Sequence, residues 1–150
     1  MVKFLIATHG WLADGFKSSI SVLMGDEIAS PIQTINAFVE NGVKDPKSAI
    51  VNVCNQLKED DDLILFTDLM FGSVNQFALP FTSKPNIHVV TGINFPVICE
   101  VISKLTFGAE EQRVQGEELQ AIVEKAREHL LYVGNFESQE VETSNDDFFE

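Results

Sequence analysis

Basic residues are scarce in this chain, where 10 Lys and Arg stand against 23 Asp and Glu for a formal net charge of −13. That balance argues against nucleic acid or an anionic membrane surface as the main partner. Long apolar runs are also missing: none approaches the roughly 20 residues that cross a bilayer. The apolar run before Thr8 is too short for a signal peptide. The sequence therefore predicts a cytoplasmic protein without direct membrane insertion.

Cysteine is rare as well, with Cys54 and Cys99 as the two examples. They are far apart and form no C-x-x-C pair of the kind used for metal binding or redox chemistry. Each falls among apolar residues with helical spacing, so both are predicted to be reduced thiols in the core. This prediction agrees with a reducing cytoplasm.

The residues that are present suffice for one folded domain. The chain has 150 residues, of which 45% are hydrophobic, and a chain of this size buries roughly two thirds of its unfolded surface. Six acidic residues and no Lys or Arg follow Gly134. We therefore predict a domain at residues 1–133 and an acidic, disordered tail at residues 134–150.

Short apolar runs alternate with segments of helical periodicity along the domain. Strands are predicted at residues 3–8, 32–38, 63–66 and 87–91. Strands that alternate with helices and are almost continuously apolar are typical of βαβ units and parallel sheets. The sequence predicts an α/β fold with an open, mainly parallel four-stranded sheet, order 2-1-3-4, and helices on both faces.

The ends of several helices can also be predicted. Gly25 is expected to end the first helix, and Asp45-Pro46 is expected to begin the second. Ser73 is predicted to be the N-cap of a short helix, and residues 106–116 are predicted to be irregular.

Polar residues follow the strands at the edge where such sheets bind ligands. In the order 2-1-3-4, the strand order reverses between the first and third strands, and open α/β sheets bind ligands at that point. His9 comes directly after the first predicted strand, and Asp68 comes directly after the third. Asn94 follows the fourth strand and is expected further along the same edge. His9 and Asp68 are therefore predicted neighbours at the most favourable position for a site.

A histidine beside a carboxylate is suited to phosphoryl transfer. The carboxylate accepts the proton of one ring nitrogen, so that the other nitrogen is free to attack phosphorus. Backbone N–H groups at the helix starts after Gly10 and Gly72, with the Ser73 hydroxyl, are candidate phosphate donors. Phosphoryl transfer depends mainly on positioning and charge stabilisation, so the prediction includes neither a metal nor a cofactor.

Trp11, directly after Gly10, has two possible roles. It is either a core residue or an exposed anchor for a partner.

Three segments of the sequence together resemble one known family. They are residues 7–13 (ATHGWLA), 65–75 (LFTDLMFGSVN) and 90–97 (VTGINFPV). They are similar, in this order, to a strand followed by (G/S)-(T/H)-H-G, to Asp-x-x-Gly-Gly-Ser-x-Asn after a strand, and to a G-x-N-x-P turn. This combination is typical of IIA subunits of the mannose family of the bacterial sugar phosphotransferase system. The resemblance covers about residues 1–131.

The resemblance implies a role for each matching residue. His9 would be phosphorylated by the histidine-containing carrier protein HPr, Asp68 would orient its imidazole, and Ser73 would line the site. The phosphoryl group would pass to a IIB domain or subunit for sugar uptake through membrane IIC and IID components. Phe71 replaces the first glycine of the family's pair, so the loop after Asp68 is expected to have a different shape, with Phe71 and Trp11 as candidate docking residues.

The resemblance also implies a homodimer. Some members of the family exchange a carboxyl-terminal strand between subunits, which would add one antiparallel edge strand to the sheet. The matching stretch in this chain is residues 106–116.

Other functions remain open from the residues alone. The related phosphocarrier domain that supplies dihydroxyacetone kinase would use the same His9 and Asp68. A hydrolase built on Ser73, His9 and Asp68 lacks the G-x-S-x-G elbow that its nucleophile would need. A non-catalytic regulatory or binding module of the same fold would have lost phosphoryl transfer.

Overall fold

The computed structural model describes residues 1–108 and 113–135 as alternating strands and helices. The strands are β1 (Val2–His9), β2 (Gln33–Ala37), β3 (Asp62–Thr67) and β4 (Ile87–Thr91). The helices are α1 (Leu12–Met24), α2 (Asp26–Ala29), α3 (Pro46–Asn55), α4 (Ser73–Ala78), α5 (Phe95–Phe107) and α6 (Gly116–Arg127). Two short 3₁₀ segments lie at Leu79–Ser83 and Val133–Asn135. The four predicted strands are all present, whereas the short α2 was not predicted.

The four strands form one sheet in the order β2-β1-β3-β4. All three strand pairs are parallel, with His9 opposite Ala37 and Ala7 opposite Thr67. The predicted parallel sheet and its strand order are therefore confirmed. The order places the carboxyl ends of β1 and β3 side by side at one edge of the sheet.

Helices cover both faces of the sheet and enclose two apolar clusters. Alternate residues of the strands point to opposite faces, so Ile6, Ile64 and Phe66 pack with α1, α5 and α6, while Leu5, Leu63 and Leu65 pack with α3 and α4. Each of these six side chains is at most 1% exposed. Full burial of one such side chain contributes roughly 1.5–3 kcal/mol relative to leaving it in water. The two clusters hold the strand ends in fixed positions.

Two helix starts follow from side-chain capping. Asp45 Oδ1 accepts a hydrogen bond from the Ser48 N–H at 3.0 Å, ahead of α3. Asn94 Oδ1 accepts one from the Val97 N–H at 3.0 Å, ahead of α5. Each cap satisfies an N–H that the helix itself leaves unpaired. The prediction for Ser73 was wrong, because Gly72 is the N-cap of α4 and Ser73 is its first residue.

The segment between α5 and α6 differs in part from the prediction. Residues 106 and 107 belong to α5, which ends at its C-cap residue Gly108, and residue 116 begins α6. Residues 109–112, the middle of the stretch 106–116 to which the exchanged strand was assigned, lie outside the described residues, as do residues 136–150 of the predicted tail 134–150.

Charged side chains join this segment to the amino-terminal end of the sheet. Arg113 Nη1 lies 3.4 Å from Asp62 Oδ1, and the Val114 N–H donates to Asp62 Oδ2 at 3.3 Å. Asp61, the residue before Asp62, pairs with Lys3, whose Nζ lies 2.9 Å from Asp61 Oδ2. These ion pairs lie at the edge opposite His9.

The cysteines occupy the core as predicted. Cys54 is 3% exposed, Cys99 is fully buried, and both are free thiols. Burial raises the pKa of the Cys99 thiol to about 12, so it stays protonated and unreactive. No helix in the described ranges is long and apolar enough to cross a membrane.

Candidate functional site

The ends of β1 and β3 bring His9 and Asp68 together. His9 is the last residue of β1, and Asp68 follows the last residue of β3. Because the two strands are parallel neighbours, both residues reach the same edge of the sheet. His9 Nδ1 lies 2.9 Å from Asp68 Oδ2. The structure thus places in direct contact two residues that are 59 positions apart in the sequence.

The Asp68 carboxylate is held by three N–H groups. Besides the ring nitrogen, the His9 backbone N–H donates to Oδ2 at 2.9 Å, and the Leu69 backbone N–H donates to Oδ1 at 3.0 Å. The side chain is 11% exposed. Hydrogen bonds to a charged acceptor are stronger than neutral ones, so the carboxylate has a fixed position from which to orient the imidazole.

The contact with Asp68 determines which ring nitrogen of His9 is available. A carboxylate has no proton to donate, so Nδ1 must carry the hydrogen of this bond. In the neutral ring, the lone pair is then on Nε2. Within the described part of the chain, Nε2 has no hydrogen-bond partner, and the His9 side chain is 37% exposed. The arrangement presents a nucleophilic nitrogen to whatever approaches this edge.

Two further residues confine the imidazole ring. A Cβ added to Gly72 would lie 3.0 Å from His9 Cε1, so the ring edge passes directly over this glycine. The Phe38 ring, just after β2, lies with its centroid 5.6 Å from that of His9 at an interplanar angle of 37°. Gly72 was among the predicted site residues, but Phe38 was not. The strand order contained the signal, because it places the end of β2 beside His9.

The loop after Asp68 is fastened to α4 by buried polar groups. The Thr67 hydroxyl donates to Asn75 Oδ1 at 2.7 Å, and Asn75 Nδ2 donates to the Met70 carbonyl at 2.8 Å. Thr67 and Asn75 are both fully buried. Buried polar groups of this kind are costly to leave unpaired. They therefore stabilise the loop that carries Asp68 and Gly72.

The helix starts after Gly10 and Gly72 differ in which backbone N–H groups they leave free. The Gly10 N–H donates to the Ala37 carbonyl at 2.9 Å, and the Gly72 N–H donates to the Leu69 carbonyl at 3.1 Å. Both amides are therefore already used within the protein. In α1, the N–H groups of Ala13 and Asp14 are capped by side chains of Thr8 and Asn36.

The start of α4 retains free N–H groups. Among the described residues, the amides of residues 73–75 have no hydrogen-bond partner, which is expected for the first turn of a helix. Ser73 is exposed there, one residue beyond the glycine that borders His9 Cε1.

Asn94 lies further from His9 than Asp68 does. It follows β4, and because β3 lies between β4 and β1, the two strands are about 10 Å apart. The Asn94 side-chain oxygen caps α5.

Exposed apolar side chains surround the site, and we refer to them as the apolar rim. They are Trp11, Leu12, Phe38, Leu69, Met70 and Phe71. Trp11 is 50% exposed and Phe71 90% exposed, so Trp11 is not a core residue. Large apolar groups gathered at one exposed place mark an interaction surface.

Phe71 stands where the family has a glycine, but its backbone does not require one. Among the described residues, the non-glycine residues with positive φ are Phe38 and Asn41, so φ at Phe71 is not positive.

Taken together, fold and site define an open parallel α/β protein with a histidine–carboxylate pair at the point where the strand order reverses. The family model described as "PTS system fructose IIA component" (EIIA-man) matches residues 3–123. The chain therefore belongs to the mannose-type IIA family of the phosphotransferase system (PTS).

Solved structures agree with this assignment. A protein from Klebsiella pneumoniae, provisionally named as a phosphoenolpyruvate-dependent sugar PTS permease, is 26% identical with a TM-score of 0.74; the match covers 89% of this chain and 92% of that one. The PTS IIA protein associated with the fucose utilization operon of Streptococcus pneumoniae is 23% identical with a TM-score of 0.69, covering 88% and 93%. A mannose/sorbose-specific IIA subunit from Enterococcus faecalis is 17% identical with a TM-score of 0.67, covering 90% and 96%. The last two show the shared fold.

Proposed function

We propose that this chain is a cytoplasmic phosphoryl carrier that accepts a phosphoryl group from phospho-HPr on His9 and passes it to a IIB domain or subunit. The contact between His9 Nδ1 and Asp68 Oδ2 at 2.9 Å carries the proposal. It leaves Nε2 as the nucleophile. Membership of the PTS IIA family supports the general assignment.

The first transfer follows from the geometry of the ring. The Nε2 lone pair attacks phosphorus, the phosphorus–nitrogen bond to the HPr histidine breaks, and that histidine leaves with its electron pair. The His9 ring retains the proton on Nδ1 and becomes positively charged. Asp68 stabilises this charge from 2.9 Å away, which is the favourable electrostatic contribution that a fixed carboxylate makes to such a step.

The phosphoryl oxygens need donors close to Nε2. We propose that the Ser73 hydroxyl and the free amides at the start of α4 supply them, since helix amino termini favour anions. Transfer to IIB would reverse the same bond changes, with the acceptor nucleophile attacking phosphorus and His9 leaving as neutral imidazole.

Docking of HPr and IIB is assigned to the apolar rim. Trp11 and Phe71 are the most prominent anchors, because both are large, aromatic and exposed. Aromatic residues contribute much of the binding energy in protein interfaces. Replacing Phe71 with Ser is expected to raise the KM for phospho-HPr more than it lowers kcat.

We also propose that the protein is a homodimer. Within the described ranges, the outer edge of β4 has no strand paired with it. Together with α6, it lines a crevice of about 430 Å³. His88 Nε2 and Thr91 Oγ1 are buried there without a hydrogen-bond partner among the described residues. An extended segment from a second copy would satisfy such an edge. Light scattering should give twice the chain mass of 16.7 kDa.

The carrier role is tested by labelling the full chain. Phosphoenolpyruvate, enzyme I and HPr are supplied, and the modified residue is mapped. The expected product is an acid-labile, base-stable phosphate on His9, with no labelling of His9→Ala. His129→Ala, which changes another exposed histidine, is the matched control and should be labelled normally. Labelling that persists in His9→Ala would overturn the assignment.

The acceptor separates the two carrier hypotheses. Incubating the phosphorylated chain with a IIB protein should discharge His9, whereas a dihydroxyacetone kinase subunit should not. The opposite result would favour the kinase-linked carrier. If neither enzyme I with HPr nor any acceptor exchanges phosphate with His9, the non-catalytic module is the better description.

A further inference from the structure

Phe38 has an unfavourable backbone conformation. Its φ is +63°, in the left-handed region that bulky side chains rarely occupy. The conformation is enforced locally, because the Phe38 N–H donates to the Val43 carbonyl at 3.3 Å and the Val43 N–H donates to the Asn36 carbonyl at 2.8 Å. The side chain remains 55% exposed. Neither burial nor the backbone explains an aromatic residue at this position.

The contact that this conformation creates is with the proposed nucleophile. The Phe38 ring lies 5.6 Å from the His9 ring, centroid to centroid, and is tilted by 37°. Strained residues held in place by their surroundings are concentrated at functional sites. Asp68 fixes Nδ1 and Gly72 borders Cε1, so Phe38 supplies a further contact with the imidazole.

We propose that Phe38 is a positioning residue for phosphoryl transfer, which limits rotation of the His9 ring and stabilises its positive charge while Nε2 carries the phosphoryl group. The inference rests on the proposed carrier function. Its physical basis is the attraction between a cation and an aromatic ring within about 6 Å of the ring centroid. The neutral resting ring gains less from this contact than the phosphorylated ring.

A competing explanation is that Phe38 only contacts the protein partner, since it belongs to the apolar rim. A small phosphoryl donor separates the two roles, because it needs no docking surface. With phosphoramidate, the Nε2 lone pair attacks phosphorus, the phosphorus–nitrogen bond breaks, and ammonia leaves with the three protons that its zwitterion already carries. The phosphorylated ring keeps its proton on Nδ1 beside Asp68.

The test compares two substitutions of Phe38 with a matched control. Phe38→Leu keeps an apolar side chain without the aromatic ring, and Phe38→Tyr restores the ring. Phe107→Leu makes the same change at an exposed phenylalanine at the end of α5, away from the site. With phosphoramidate, Phe38→Leu should be labelled about 2- to 5-fold more slowly than the unchanged protein. Phe38→Tyr and Phe107→Leu should be labelled at the unchanged rate.

Nuclear magnetic resonance of the unphosphorylated protein gives a readout that does not depend on transfer. The Nδ1–H signal of His9 should be sharp in the unchanged protein and in Phe107→Leu, and broadened in Phe38→Leu as the ring samples more orientations. This result would support a positioning role.

The outcomes separate this inference from the carrier function. If Phe38→Leu is slow with phospho-HPr but normal with phosphoramidate, Phe38 is a docking residue and the proposal is wrong. An unchanged His9 spectrum in Phe38→Leu also counts against it. If the unchanged protein accepts phosphate from neither donor, the carrier function fails, and this inference fails with it.

Discussion

Gly72 offers a test of how tightly the His9 ring is confined. The backbone at Gly72 has φ −75° and ψ 155°, which alanine adopts without strain. The obstacle to Gly72→Ala is close contact, because the new Cβ would lie 3.0 Å from His9 Cε1 and 3.1 Å from Leu69 Cβ. Carbon atoms in favourable contact are about 3.5–4.0 Å apart, so the ring must move by about 0.5 Å.

That displacement can be converted into a rate. A misplacement of about 1 Å costs roughly 100-fold in rate, so a shift of about 0.5 Å is expected to cost about 10-fold, or ~1.4 kcal/mol of activation free energy. The free energy of unfolding should fall by about 1 kcal/mol or less, because alanine is a poorer N-cap than glycine. Rapid-quench labelling by phospho-HPr measures the rate, and urea unfolding measures the free energy of unfolding.

The control is a glycine with open space around it. Gly15 occupies an exposed position of α1, and a Cβ there would meet no atom of the described residues within 4 Å. Gly15→Ala should therefore label normally and stabilise the helix by about 1 kcal/mol. If Gly72→Ala were labelled as fast as Gly15→Ala, the ring would not be confined by the α4 loop, and the distance argument would be refuted.

Three further predictions concern stability and reactivity. Asn75→Ala removes the partner of the buried Thr67 hydroxyl and should lower the free energy of unfolding by about 1–3 kcal/mol, as measured by urea titration. Asp61→Asn should lower Tm at pH 7. The Lys3 hydrogen bond holds the pKa of the Asp61 carboxyl below its ordinary value of 3.8, so the stabilisation is present above that pH and is lost as pH falls through the lower, folded-state pKa. The difference in Tm between Asp61→Asn and the unchanged protein should therefore be present at pH 7 and disappear in acid, and a difference that persisted in acid would contradict this cause. The Cys99 thiol, with its raised pKa, should react with a disulfide reagent only after unfolding, and reaction in the native protein would contradict its burial.

The strands were predictable from short-range patterns, and the position of the histidine–carboxylate pair followed once the common strand order 2-1-3-4 was assumed for them. Continuous apolar runs marked the parallel strands, and His9 and Asp68 each stood directly after one. Parallel register then required the two residues to meet. The family resemblance added the carrier role, which remains a prediction for these residues.

The remaining features of the site depend on contacts that the sequence does not encode locally. Phe38 reaches His9 because Asn36 and Val43 close a tight loop with a positive φ at a bulky residue, which propensity alone would not favour. The Gly10 N–H donates to the Ala37 carbonyl across the β1–β2 pair, and two amides at the helix start that follows are capped by Thr8 and Asn36. Tertiary packing, and not the local sequence, determines which of these hydrogen bonds form.

The most direct measurement of the central claim identifies which nitrogen of His9 carries the phosphoryl group. The protein is labelled with nitrogen-15 in its histidines, phosphorylated through HPr, and studied by phosphorus–nitrogen correlation. Because Asp68 holds Nδ1, the phosphorus should couple to Nε2. Coupling to Nδ1, or phosphate on another residue, would contradict the account.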